Sequence, residues 1–147
     1  MALQSFSFIA YKKSYTAVII IFLGLVSISG YPQNTANDHI KNGIAKAKQQ
    51  AYKEAIQDFS KEIKLHPDSS KAYIYRAYAK EAILDYKGAL QDYDKAILLK
   101  PDNAEIYNDR ALAKYTSGDL KSACLDWKKS VDLGLPDAAY MIKQYCK

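Results

Sequence analysis

Two stretches decide the reading: YKEAIQDFSKEIKLHP at residues 52–67 and YKGALQDYDKAILLKP at residues 86–101. They lie 34 residues apart, and the offset extends beyond them. Pro67 and Pro101 keep it. So do Phe59, Tyr93 and Trp127; Ala55, Ala89 and Ala123; Gly43, Ala77 and Ala111; and Asp58, Asp92 and Asp126. Five columns in one register define an internal repeat, and a period in the thirties marks a stacked helical array. Three units follow, at about 36–69, 70–103 and 104–137.

Each unit reads as two helices. Apolar and small residues recur at helical spacing through Ala72, Tyr75, Tyr78, Ala79 and Ala82, then through Ala89, Leu90, Tyr93, Ala96 and Ile97. Proline disfavours helix for the residue before it, so Pro67 and Pro101 end the second helix of their units. Gly118-Asp119 marks the turn inside the third unit, with Asp119 as N-cap.

The period, the small-residue columns, the aromatic column and the terminal proline resemble the tetratricopeptide repeat. Gly43, Ala55, Phe59 and Pro67 match it in unit one. Tyr73, Ala77, Ala89, Tyr93, Ala96 and Pro101 match in unit two, and Tyr107, Ala111, Ala123 and Trp127 in unit three. The resemblance covers about 36–137 and implies an all-α fold: a right-handed superhelical stack of three hairpins. In that family small residues let the two helices of a unit approach closely, and the aromatic fills the space between units. A capping helix is expected over about 137–146, because a stack leaves its last core face bare. Ala139, Met141 and Ile142 would cover the third unit, with Tyr140 and Tyr145 alongside. The ending, from Ala123-Cys124 to Tyr145-Cys146, resembles that of small exported bacterial members.

Three residues depart from the pattern. Glu62 stands in the column of Ala96 and Ser130, and Arg76 and Arg110 stand where leucine is usual. A charge at a half-buried column needs a partner. The columns offer Asp58, Glu62 or Asp92 to Arg76, and Asp92 or Asp126 to Arg110, as inter-helix ion pairs that fix how units stack.

The first thirty residues read differently. Lys12-Lys13 precede an uncharged run, Ala17 to Ile28, and small residues stand at its exit at Ser27, Ser29 and Gly30. That order is a secretory signal peptide. The run is about a dozen residues, short of the roughly 20 that span a bilayer. An uncleaved anchor is the alternative; Lys12 and Lys13 would still leave the rest facing outward. The expected division is a leader at 1–30, a linker at 31–36 and a repeat domain at 37–147.

Cys124 and Cys146 are the only cysteines. If the last two helices pack antiparallel around Gly134-Leu135, both lie at about the same height. Outside the cytoplasm such a pair can oxidise and persist, so a disulfide is expected; two packed thiols are the alternative. Zinc spacing is lacking, with His39 and His66 far off in sequence, and no metal or cofactor is expected.

No catalytic motif appears: the six glycines form no phosphate loop, and G-x-S-x-G and H-E-x-x-H are missing. Asp85, Glu105 and Asp109 read as capping or solvated carboxylates near helix starts and turns. The net charge is +5, and beyond the leader 19 basic residues face 16 acidic ones, too mild and mixed for nucleic acid.

The reading is therefore a protein-binding adaptor or scaffold, not an enzyme, acting outside the cytoplasm: periplasmic or secreted. The alternative is an anchored accessory subunit of an envelope assembly or secretion machine, touching membrane only through its N-terminal segment. By resemblance, the partner-facing positions are Asn37, Ile40, Ile44 and Lys48; Lys71, Ile74, Tyr78 and Glu81; and Glu105, Asn108, Leu112, Tyr115 and Thr116. They give an apolar stripe with a polar rim, suited to an amphipathic helix or an extended peptide. The Lys and Asn set that clamps a C-terminal carboxylate in chaperone-associated members is not reproduced, so chaperone-tail binding is not expected. Three units are near the minimum for a continuous core, and the fold can lean on the cap, the disulfide or self-association.

Overall fold

A computed structural model describes residues 35–147, and the expected leader and most of the linker lie outside them. Seven α-helices and no strand occur among the described residues: α1 Thr35–Lys48, α2 Tyr52–Leu65, α3 Ser70–Ala82, α4 Tyr86–Leu99, α5 Ala104–Thr116, α6 Leu120–Asp132 and α7 Ala138–Tyr145. α1–α2, α3–α4 and α5–α6 pack as hairpins, each hairpin packs on the next, and α7 closes the stack on α6.

The repeat columns are the core. Ala55, Ala89 and Ala123 are fully buried where the helices of each hairpin meet, as are Ala77 and Ala111. Phe59, Tyr93 and Trp127 are the largest fully buried side chains. Gly43 shows why its column is small. A Cβ there would lie 2.5 Å from the Phe59 ring, so the bare backbone lets α1 close on α2.

The turns inside the hairpins repeat too. Gln50 (φ 62°), Leu84 (φ 64°) and Gly118 (φ 95°) occupy the left-handed region at the same step of 34 residues. After each, an amide reaches back to close the helix: Ala51 to the Lys46 carbonyl at 2.9 Å, Asp85 to Lys80 at 2.9 Å and Asp119 to Lys114 at 2.8 Å. These are Schellman closures, which satisfy carbonyls a helix end leaves orphaned. Glycine alone marked this turn in the sequence, so only the third was legible. Asp85 and Asp119 then cap α4 and α6, accepting from the amides of Gly88 and Ser122.

The cap packs through Met141 and Ile142 as expected and departs from the expectation at one position. α7 buries Ala138, with Met141 and Ile142 against the Trp127 cluster, while Ala139 faces solvent. The amides of Ala138 and Ala139 turn back to the Leu135 and Pro136 carbonyls, and Ala138 takes the buried place expected of Ala139. Cys124 and Cys146 are joined, with Cα atoms 5.7 Å apart at a sequence separation of 22.

Candidate functional site

The charged columns sort into two flanks. Arg76 grips Asp92 with both arms of its fork, Nε to Oδ2 at 2.9 Å and Nη2 to Oδ1 at 2.6 Å. Arg110 repeats this on Asp126 at 2.8 and 2.7 Å. Each carboxylate takes a second cation, Lys80 on Asp92 and Lys114 on Asp126, both at 2.7 Å. In the first hairpin Asn42 replaces the arginine, and Asp58 pairs with Lys46 and with Lys61 at 3.1 Å. Burial pushes the Asp58 carboxyl up, but the bonds from Lys46 and Lys61 outweigh it and hold it below the usual range.

These ion pairs were expected to fix the stacking of units. The forked bonds instead tie the two helices of one hairpin together. Only the third guanidinium nitrogen crosses between hairpins, from Arg76 to Ser60 at 3.0 Å and from Arg110 to Asp94 at 2.6 Å. The lysine column 46, 80 and 114 went unread, although it keeps the same step of 34 residues. Glu62 takes no arginine; it is buried, and its Oε2 has no hydrogen-bond partner.

The other flank is lined by α1, α3 and α5. Between α1 and α3 an apolar recess of about 270 Å³ is walled by Ile44, Ala47, Lys48, Tyr52, Tyr75, Tyr78 and Ala79, with Phe59 behind them. Phe59 stacks on Tyr75, and Tyr75 and Tyr93 each meet Tyr78 edge-on. Tyr78 stays 43% exposed. Its hydroxyl donates to Asp109 on α5, and the Tyr93 hydroxyl donates to Glu81. Asp109 therefore lies inside α5 and bridges hairpins, rather than capping a helix.

Both carboxyls are raised above their usual range. For Asp109 burial is the main cause and Glu105 adds to it, while the Tyr78 bond pulls the other way. For Glu81 burial leads again, opposed by Tyr93 and reinforced by Asp109. Burial and these same carboxylates push both phenols up, so Tyr78 and Tyr93 stay neutral donors.

Of the other partner-facing positions, Lys48, Lys71, Glu105, Leu112, Tyr115 and Thr116 are exposed, and Asn108 is half-buried. Ile40 is buried and Ile74 packs on the Tyr93 cluster, so both support the face more than they present it. Tyr115 packs at a tilt against the Trp127 and Tyr145 rings. The side chain of Asn37 lies outside the described residues. No group of three or more His, Cys, Asp or Glu with metal-binding geometry occurs among the described residues.

Stacked helix hairpins with repeating small and aromatic columns define a helical-repeat protein. A family model described as TPR repeat matches residues 85–118, from the cap of α4 through α5 to Gly118. No curated protein matches the sequence. Solved structures do. The first TPR domain of Spaghetti (RPAP3), bound to an HSP90 peptide SRMEEVD, is 21% identical with a TM-score of 0.71, over 80% of this chain and 96% of that one. The Arabidopsis OM64 TPR domain is 24% identical with a TM-score of 0.71, over 76% and 94%. The second TPR domain of Spaghetti, bound to the same peptide, is 25% identical with a TM-score of 0.64, over 68% and 93%. Residues 85–118 thus match the tetratricopeptide-repeat model, and the described helices share the fold of these TPR domains.

Proposed function

We propose that this chain is a protein-interaction adaptor acting outside the cytoplasm, which takes a peptide or helix of its partner on the face lined by α1, α3 and α5. One observation carries the reading: the recess beside Phe59, an apolar opening that the chain's own described side chains do not fill. Tyrosine walls supply rigid contact area at low entropic cost. The Spaghetti domains hold their HSP90 peptides on the same fold, which supports a peptide ligand but not that peptide.

Export is supported by the apolar run behind Lys12-Lys13 and by the Cys124–Cys146 bond, since such bonds persist in oxidising compartments. Intact mass of the native protein tests it: loss of about thirty residues is expected of a cleaved leader. For the binding face, Tyr78→Ser with Leu112→Ser is the test. Both residues are exposed, so the fold should hold while partner capture falls. Unchanged capture by a folded variant would remove the face from consideration.

A further inference from the structure

Four of the five cations of α3 and α5 are committed on the outer flank. Arg76 and Lys80 are held by Asp92, and Arg110 and Lys114 by Asp126. On the inner flank, Glu81 and Asp109 meet only the neutral hydroxyls of Tyr93 and Tyr78. Among the described residues, neither they nor Glu105 has a lysine or arginine within ion-pair distance. Tyr78 belongs to both places: it walls the apolar recess and bonds Asp109. An apolar hole and unneutralised negative charge are thus one tyrosine ring apart. On α1 the sign reverses, where Lys48 rims the recess; Lys71, at the start of α3, lies 5.7 Å over the Tyr75 ring.

We propose that this groove selects a partner segment carrying an apolar or aromatic anchor with a lysine or arginine a few residues away, the anchor entering the recess and the cation held by Glu81 and Asp109. The proposal rests on the groove reading above and adds the chemistry of the ligand. Half-buried carboxylates without a cation are a standing electrostatic cost, which an incoming ammonium or guanidinium relieves through charge-assisted hydrogen bonds. Charge alone would take any cation; the recess demands the anchor. The reversal of sign fixes polarity, with the basic residue toward α5. An acidic tail of the kind the Spaghetti domains hold would meet like charge here.

Selection of random peptides displayed on phage against the full-length chain tests this. Enriched sequences should carry Lys or Arg at a fixed spacing from Phe, Leu, Ile, Met or Trp. A fluorescein-labelled copy of the consensus should bind Glu81→Gln/Asp109→Asn about tenfold more weakly or worse; both tyrosines keep an acceptor in that variant. The same peptide with its cation replaced by Gln should bind both proteins alike. Enrichment of acidic sequences, of free C-terminal carboxylates or of apolar sequences without a cation overturns the proposal, as does unchanged affinity for the double variant. Ile44→Ser separates the two levels. If it weakens binding while the charge variant does not, only the ligand chemistry is wrong; if a folded Ile44→Ser binds as wild type does, the groove reading falls as well. A chain that selects no peptide and is dimeric by light scattering, or selects one only when residues 1–34 are removed, has a different occupant and also contradicts the proposal.

Discussion

The Arg110 guanidinium lies fork-to-fork on the Asp126 carboxylate inside the third hairpin, and its remaining nitrogen holds Asp94 of the hairpin before. Asp126 is buried and Asp94 is exposed, so the two bonds differ in worth. Removing one partner of a buried pair strands the other, at about 3–5 kcal/mol. An exposed pair contributes under about 1 kcal/mol. We expect Asp126→Asn to cost several-fold more than Asp94→Asn in urea unfolding. Arg110→Lys should fall between them, because an ammonium cannot reproduce the fork.

Gly43 admits no methyl without moving Phe59. Gly43→Ala should destabilise by about 1–3 kcal/mol through overpacking, despite the better helix propensity of alanine. Combining it with Phe59→Leu should cost less than the sum of the two single changes, since the pair touches. Thermal unfolding of the four proteins measures this.

Much of this was legible in the sequence. The columns at Ala55, Phe59, Gly43 and Asp58 repeat because each occupies one packing environment three times over, and periodicity reports environment. What does not repeat was not legible. The Tyr78–Asp109 bond joins neighbouring hairpins through residues with no equivalent pair in the other units, so no column announced it. Gln50 and Leu84 hid a left-handed turn because neither residue type signals one. Burial of Ala138 rather than Ala139 depends on how Leu135-Pro136 folds back, which spacing alone does not fix.

Leu84 is exposed and sits at positive φ, where Gly118 serves the third unit. A non-glycine residue there costs about 1–2 kcal/mol. Leu84→Gly should therefore stabilise the chain, less the entropy that glycine loses on folding. A rise in melting temperature is the expected result.

Asp58, held below its unfolded range by Lys46 and Lys61, contributes stability above the unfolded pKa. That stability is lost as pH falls through the folded value, below about 4. Glu81 and Asp109 have the opposite sign. Their raised carboxyls make the folded state take protons more readily, so each gains stability as pH falls toward its unfolded pKa. Glu81→Gln/Asp109→Asn should melt higher than wild type at pH 7, and Asp58→Asn lower, with both differences shrinking by pH 3.

The Cys124–Cys146 bond closes 22 residues and should stabilise by about 3 kcal/mol in the chain-entropy account. Cys124→Ser/Cys146→Ser should lower the melting temperature and speed amide exchange in α7 ahead of α3 and α4, as expected of a terminal unit.

The most direct test places a benzophenone photocrosslinker at Tyr78 on the inner face, and in a second protein at Leu98, which is 74% exposed, in the cells that make the chain. A discrete crosslinked partner from position 78, absent from position 98, is the predicted result. The same partner from both positions, or from 98 alone, would contradict a groove that binds through its inner helices.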